Sequence, residues 1–298
     1  CKERDQMRNK VCLITGGNAG IGKAAAIQLA KEGAEVIIAC RNKQRGERAL
    51  AQIKSETGNE KVTLVEMDLS SRESIVRGSA ALRLGEKGCL DVLIHNAADF
   101  DISRKEPQLS VDGIETVWGT NHLGPVLLTE LLQPALLASE QARVITVSSQ
   151  GLVMHPRLKV NFEDPEFTQG GYRVDKAYYQ SKLAQVMYTI WLAEKFQSTP
   201  ITANCIRVTN VKIDLERYPD LSAFQQWLYS IKSRFSITPE AMAKVYVWLA
   251  IDPQLSKVSG KYYDKKCRVV SGGKWAENPQ NIHQLMEVTR KYIPEMNP

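Results

Sequence analysis

The amino-acid sequence predicts an α/β fold: a single domain with a parallel sheet of seven strands, covered by helices on both faces. Three observations predict it. Short apolar runs alternate with helical patterns along nearly the whole chain, as crossovers between parallel strands require. The first apolar run ends in a glycine-rich turn, TGGNAGIG at residues 15–22, that opens directly into the first helix. No internal repeat, low-complexity stretch or linker divides the 298 residues, so one doubly wound domain fits better than two.

In order along the chain, Val11 to Thr15 reads as the first strand, and Ile21 to Lys31 carries Ala, Ile and Leu at helical spacing. Glu35 to Cys40 (EVIIAC) is the second strand and Lys43 to Glu56 a polar amphipathic helix. Val62 to Glu66 is the third strand, Ser70 to Leu84 a helix and Leu90 to Ile94 the fourth strand. Asp112 to Ser139 reads as a long helix, bent or interrupted at Gly124-Pro125, where proline removes a helical donor. Arg143 to Ser148 is the fifth strand, Asp175 to Gln197 a helix and Ile201 to Val208 the sixth strand. Thr238-Pro239-Glu240 starts a helix with an N-cap, a proline in the first turn and an acid near the positive helix end. Gly260 to Asp264 is the seventh strand. Residues 155–174, rich in Pro, Asp and Gly, read as a loop. Residues 210–237 read as a lid over an apolar substrate or, alternatively, as a helix packed on the body, with Leu221, Phe224, Trp227, Leu228 and Ile231 at roughly helical spacing. Both segments follow strands, and ligands of open α/β sheets bind beyond the carboxyl ends of strands.

Composition narrows the function classes. Apolar residues make up 43% and charged residues 24% of the chain, the balance of an ordinary globular protein. The net charge of +6 is spread along the sequence and offset by acids, so no nucleic-acid partner is expected. The six cysteines (1, 12, 40, 89, 205 and 267) form no CxxC pair, and Cys12, Cys40 and Cys205 sit in apolar runs, which favours a reducing compartment. The four histidines have no metal-ligand spacing, so no metal is expected. No apolar run reaches the roughly 18 residues of a membrane helix, so no integral membrane segment is expected. The chain begins with Cys1 rather than Met, so an upstream targeting segment or anchor could be missing, and the expected location is the cytoplasm or the periphery of a membrane facing the cytosol.

The strand–turn–helix context makes TGGNAGIG a candidate dinucleotide site of Rossmann type. Gly16, Gly20 and Gly22 allow a tight turn and close approach of backbone to pyrophosphate, with Asn18 and Ile21 between them at the helix start. The second strand ends EVIIACRNK, without the acid that holds the ribose hydroxyls of NAD and with Arg41 and Lys43 available to a 2′-phosphate. Lys23 adds positive charge. NADPH is therefore the expected cofactor over NADH, the alternative being that Arg41 is only a solvated surface residue. Asp68, followed by Leu69 after the third strand, suits a contact to the adenine amine and equally suits the N-terminal acid of the next helix.

Ser148 and Ser149 end the fifth strand, where a hydroxyl can hydrogen-bond a substrate carbonyl. In AYYQSK (177–182), Tyr178 is four residues before Lys182 and Tyr179 three before it. Either spacing puts the pair on one helix face, so spacing alone leaves both tyrosines open. A cation stabilises a phenolate, and a tyrosine so placed can give a proton to a carbonyl oxygen during hydride transfer.

Taken in order, TGGNAGIG, HNAA at 95–98, TNHLG at 120–124, VITVSS at 144–149 and YYQSK at 178–182 resemble the short-chain dehydrogenase/reductase family over essentially the whole chain. IIACRNKQRGE, GTNHLGPVLLTELL, AYYQSKLAQVMYT and VSGKYYDKK are similar to the retinol dehydrogenase-like branch, and NAADF and GTNHLG also resemble light-dependent protochlorophyllide reductases. The resemblance implies that Tyr178 is the acid–base catalyst and Tyr179 its neighbour. It implies that Lys182 lowers the pKa of Tyr178 and holds the nicotinamide ribose, and that Ser149 positions the carbonyl. It further implies that Asn121 holds a water linking Lys182 to solvent, that Asn96 and Ala97 lie beside the cofactor, and that two copies can pair as a homodimer through the helices carrying Asn121 and Tyr178.

Two departures from the family pattern stand out. His95-Asn96-Ala97-Ala98 replaces the usual NNAG, placing a methyl beside the cofactor path. After the sixth strand, IRVTNVKID puts Val208 and Thr209 where the family has Pro-Gly, and Ile213 where it has a carboxamide-binding Thr. A β-branched Thr209 is ill suited to positive φ, and Ile213 offers no hydrogen bond. Two functions follow as expectations. The first is an NADPH-dependent oxidoreductase interconverting an apolar aldehyde or ketone and its alcohol, favoured by Asn121, Ser149, Tyr178 and Lys182 occurring together. The alternative is a nucleotide-binding sensor or interaction protein with little catalytic activity.

Overall fold

Seven strands lie side by side in the computed structural model, which describes residues 7–211 and 236–293. The expected lid at 210–237 falls, apart from its ends, outside the described residues, as does Ile213. The strands are β1 (Val11–Thr15), β2 (Glu35–Cys40), β3 (Val62–Glu66), β4 (Val92–His95), β5 (Ala142–Ser149), β6 (Ile201–Val208) and β7 (Lys261–Tyr263). They run in the order β3-β2-β1-β4-β5-β6-β7, every pair parallel. β1, β4 and β5 are buried almost throughout, because helices cover both faces. The edge strand β3 buries Val62 and Val65 and leaves Thr63 and Glu66 exposed.

The helices are α1 (Gly20–Lys31), α2 (Lys43–Thr57), α3 (Arg72–Ala80), α4 (Thr116–Trp118), α5 (Gly124–Leu137), α6 (Val174–Lys195), α7 (Pro239–Ile251) and α8 (Pro279–Tyr292). Strand alternation divides the apolar residues between two cores. Cys12, Ile14, Ile38, Ile94 and Ile145 join Ala25, Leu29, Ile53, Met242 and Leu249 of α1, α2 and α7. Leu13, Ile37, Leu93 and Val144 join Leu128, Leu132, Tyr188 and Leu285 of α5, α6 and α8.

Four strands match their expected bounds, and the differences have local causes. The helix expected over 70–84 starts at Arg72 because Ser71 caps it, its hydroxyl accepting the Ser74 N–H, and it ends at Ala80. The long helix starts only at Thr116: Gly113 takes φ +74, and the Asp112 carboxylate accepts the Arg72 N–H instead of starting a helix. Its interruption is a π turn, Gly119–Leu123, just ahead of Pro125, which has no N–H to give the Asn121 carbonyl. Helix α8 was not expected. Its signal was present in Asn278-Pro279, an N-cap and N1 pair, ahead of Ile282, Leu285, Met286 and Thr289 at helical spacing.

Candidate active site

From β1 the chain runs to β2 and β3 on one side of the sheet, then crosses to β4 on the other side. At that switch point, beyond the carboxyl ends of β1 and β4, opens a cavity of about 1000 Å³. Gly16, Asn18, Gly20, Ile21, Arg41, Asp68, Leu69, Asn96 and Ala97, nine of the expected cofactor residues, line it.

Gly16 takes φ +65 and Gly20 φ +54, which side chains disfavour. A Cβ on Gly22 would strike the Asn96 amide and lie 2.5 Å from the Gly16 carbonyl, so Gly22 is buried beneath the turn and does not line the cavity. Asn96 braces the turn: its Nδ2 donates to the Thr15 carbonyl (2.9 Å) and its Oδ1 accepts from Tyr246 (3.2 Å). Helix α1 has neither a side-chain cap nor an acid in its first turn. Its first N–H groups and positive end are therefore directed at the cavity, as a pyrophosphate requires. This cradle fits a dinucleotide.

Where β2 ends, exposed Arg41 and Arg45 line the cavity. The second arginine of this pair was missed. Its signal is Asn42, whose Oδ1 accepts the Arg45 N–H (2.8 Å) and so starts α2 with Arg45 on the cavity side. Lys43 does not line the cavity, and Lys23, which does, donates to Gln52 (2.9 Å). Asp68 holds the following turn, accepting from the Ser70 N–H and hydroxyl at 2.9 and 2.7 Å while lining the cavity.

The serines at the end of β5 divide. Ser148 is buried, donates to the Lys182 carbonyl (2.8 Å) and accepts from Tyr262 (3.3 Å). Ser149 is half-buried and caps the following 3-10 turn, accepting the Gly151 N–H (3.1 Å). The tyrosines divide as well. Tyr179 packs on Gly151 and lies 4.6 Å from the His155 ring. Tyr178 packs on Phe100 (4.3 Å between centroids), with the Lys182 Nζ 5.5 Å from its ring centroid. Lys182 is 3% exposed and donates to the Val147 carbonyl (3.1 Å), and burial pulls its pKa down to about 8.

Asn121 lies in the π turn with its side chain bound on every side. Its Oδ1 accepts the Asp99 N–H (2.6 Å), and its Nδ2 donates to the Asp99 carbonyl (3.1 Å) and the Ser181 hydroxyl (3.0 Å). Asp99 is itself held by Arg104 at 2.8 and 3.2 Å. The Asp99–Arg104 pair was missed; only Asp99 following HNAA hinted at it. His95 and His122 are buried, and desolvation lowers each pKa to about 3, so both are neutral packing residues. His122 ties the π turn to α8 through Thr289 (2.8 Å). Among the described residues no cluster of potential metal ligands occurs. Thr209 is not among the residues with positive φ, so its β-branched side chain bears no left-handed strain.

Comparison with known proteins agrees with this geometry. Residues 10–160 match the model of the family described as short chain dehydrogenase. Retinol dehydrogenase 13 of Homo sapiens is 35% identical over 89% of this chain and 78% of its own length. Retinol dehydrogenase 12 of Homo sapiens is 36% identical over 97% and 88%. A crystal structure of a protein from Mycobacterium Paratuberculosis superposes with a TM-score of 0.73 at 26% identity, covering 96% of this chain and 94% of that one. L-sorbose reductase from Gluconobacter frateurii, solved with NADPH and L-sorbose, shares the fold at a TM-score of 0.70 and 22% identity, over 91% of this chain and 98% of that one.

Proposed function

The chain belongs to the short chain dehydrogenase family, is similar to retinol dehydrogenases and is an NAD(P)-dependent oxidoreductase acting on CH–OH groups; on that premise we propose that it uses NADPH to interconvert an apolar aldehyde or ketone and its alcohol, with Tyr178 as acid–base catalyst. The observation that carries this reading is the division of the two tyrosines: Tyr178 faces Lys182, while Tyr179 is turned against Gly151 and His155.

Gly16, Gly20, Arg41 and Asp68 would hold the dinucleotide, which when bound would supply a hydride to the carbonyl carbon in reduction or take one up in oxidation. Tyr178 gives the accompanying proton to the carbonyl oxygen, so aldehyde, NADPH and a proton become alcohol and NADP+. The Lys182 ammonium stabilises the negative charge left on the Tyr178 oxygen. Ser149 hydrogen-bonds the substrate oxygen and holds it within reach of Tyr178. Asn121, locked by Asp99 and Ser181, keeps the π turn in place; its carbonyl, deprived of a helical donor by Pro125, is the group that would hold a water on the path from Lys182 to solvent. Arg41 and Arg45 support the choice of NADPH, since a 2′-phosphate needs cations where β2 ends. The similarity to retinol dehydrogenases supports an apolar substrate.

Calorimetric titration with NADPH and NADH, followed by NADPH oxidation with a series of apolar aldehydes, tests the reading. NADPH should bind more tightly than NADH. Tyr178→Phe should lose about 10²- to 10⁴-fold in turnover with cofactor affinity retained. Full activity of that variant would overturn the catalytic assignment. Tight NADPH binding without turnover of any carbonyl would favour the nucleotide-sensor reading, for which the Val208-Thr209 departure speaks.

A further inference from the structure

A second pocket, of about 930 Å³, lies on the α6 face of the sheet beyond the carboxyl ends of β5, β6 and β7. Ser149, Tyr178 and Lys182 do not line it, but its inner wall is made of their neighbours. Tyr262 donates to the Ser149 carbonyl (3.4 Å), Leu152 lies in the 3-10 turn that Ser149 caps, and Leu183 follows Lys182 on α6. With Trp275 these residues make an apolar lining. The polar part of the wall has one sign. Arg157, Lys159, Arg207 and Lys274 line the pocket, and no carboxylate does so among the described residues.

Arg207 separates this arrangement from a set of ordinary solvated cations. It sits near the end of β6 opposite Ser148, and its side chain is only 20% exposed. Among the described residues its ion-pair partner is Asp264, 4.0 Å away and beyond hydrogen-bond range. That carboxylate is already taken by Arg268, which donates to it at 2.9 and 2.7 Å. A guanidinium that is four-fifths covered, faces a pocket and, among the described residues, shares its ion-pair acid with a closer arginine keeps the capacity to bind an oxyanion.

We propose that the substrate is an amphipathic carbonyl compound whose apolar chain lies along Leu152, Tyr262 and Trp275 and whose far end carries an oxyanion, carboxylate or phosphate, held by Arg207 with Lys274. The proposal rests on the oxidoreductase reading above and narrows its substrate class. The reaction at the carbonyl is unchanged, and the oxyanion takes no part in it. A neutral apolar aldehyde fills the chain region but leaves the cations to water.

The test separates the pocket from the reaction. Binding of dodecanoate, dodecyl phosphate and dodecanol is measured by calorimetry on the whole protein without cofactor, for wild type, Arg207→Met and Lys274→Met. Either anion should bind more tightly than the alcohol by about ten- to a hundredfold, the value of a charge-assisted hydrogen bond, and both variants should reduce that preference. The tighter anion identifies the oxyanion. Lys274→Met, on an exposed loop, keeps the test decisive if Arg207→Met does not fold. With NADPH, 12-oxododecanoate should be preferred over dodecanal in kcat/KM, and dodecanoate should compete with both. Equal binding of anions and alcohol, or anion binding that does not compete with aldehyde, would overturn the proposal. Absence of turnover with every aldehyde, together with anion binding that depends on Arg207, would instead overturn the oxidoreductase reading and leave the pocket as an anion site.

Discussion

Lys182→Met should change the pH dependence of stability in a calculable way. Lys182 is 3% exposed, and burial lowers its pKa from the ordinary lysine value of 10.5 to about 8. Below pH 8 the lysine is charged in both folded and unfolded chains, and the folded state bears the whole cost of burying the charge. Between pH 8 and 10.5 the unfolded chain holds the proton that the folded chain has released, so wild-type stability gains as pH rises through this window. At 1.36 kcal/mol per pKa unit, the cost is about 3 kcal/mol near pH 7 and about 1 kcal/mol near pH 9.5. The change in packing is independent of pH, and any change in the Nζ bond to the Val147 carbonyl on deprotonation is already contained in the folded-state pKa. The stability of Lys182→Met minus that of the lysine protein should therefore fall by about 2 kcal/mol between these two pH values. The assay is urea unfolding of the cofactor-free protein in a Tyr178→Phe background, which removes the neighbouring phenol from the titration. A difference that does not vary with pH would refute the buried-charge argument.

Three further outcomes are expected. Arg41→Asp should weaken NADPH relative to NADH by about tenfold or more, and Arg45→Asp should move the preference in the same direction, as equilibrium titration will show; a variant with an unchanged ratio has no part in reading the phosphate. Ser149→Ala should cut turnover at wild-type stability, whereas Ser148→Ala, which loses bonds to the Lys182 carbonyl and Tyr262, should lower the unfolding free energy by about 1–3 kcal/mol; the reverse pattern would exchange their roles. Gly22→Ala should destabilise the protein by about 1–3 kcal/mol and weaken NADPH binding, because the new methyl meets the Gly16 carbonyl and the Asn96 amide beneath the turn; wild-type melting and affinity would show that the turn can shift at little cost.

Much of the fold was legible because its signals are local. A buried parallel strand needs a short apolar run, and VCLIT, EVIIAC and ITANCIRV each begin and end where the sequence patterns put them. Caps carry their own chemistry, so Thr238-Pro239 marked the start of α7. Helix starts set by distant partners were less legible. Asp112 is spent on the Arg72 N–H across the chain, and no pattern around residue 112 records that. Helix α8 carried a readable N-cap and spacing, but its partners on α6 and in the π turn lie far back in the sequence.

By itself the sequence determined the architecture, the glycine turn and the set of residues that can carry the chemistry, because the order of strands and helices and the need for glycine at positive φ are properties of the local chain. Only the tertiary structure decided between chemically equal neighbours. Tyr178 and Tyr179 are both within helical reach of Lys182, and the packing of Tyr179 on Gly151 and His155 separates them. Ser148 and Ser149 are the same residue type at one strand end, and the alternation of the strand sends Ser148 towards α6. Arg45, the Asp99–Arg104 pair and the cationic pocket around Arg207 also arise from the folded chain, since each joins residues whose proximity depends on how helices and loops return to the carboxyl edge of the sheet.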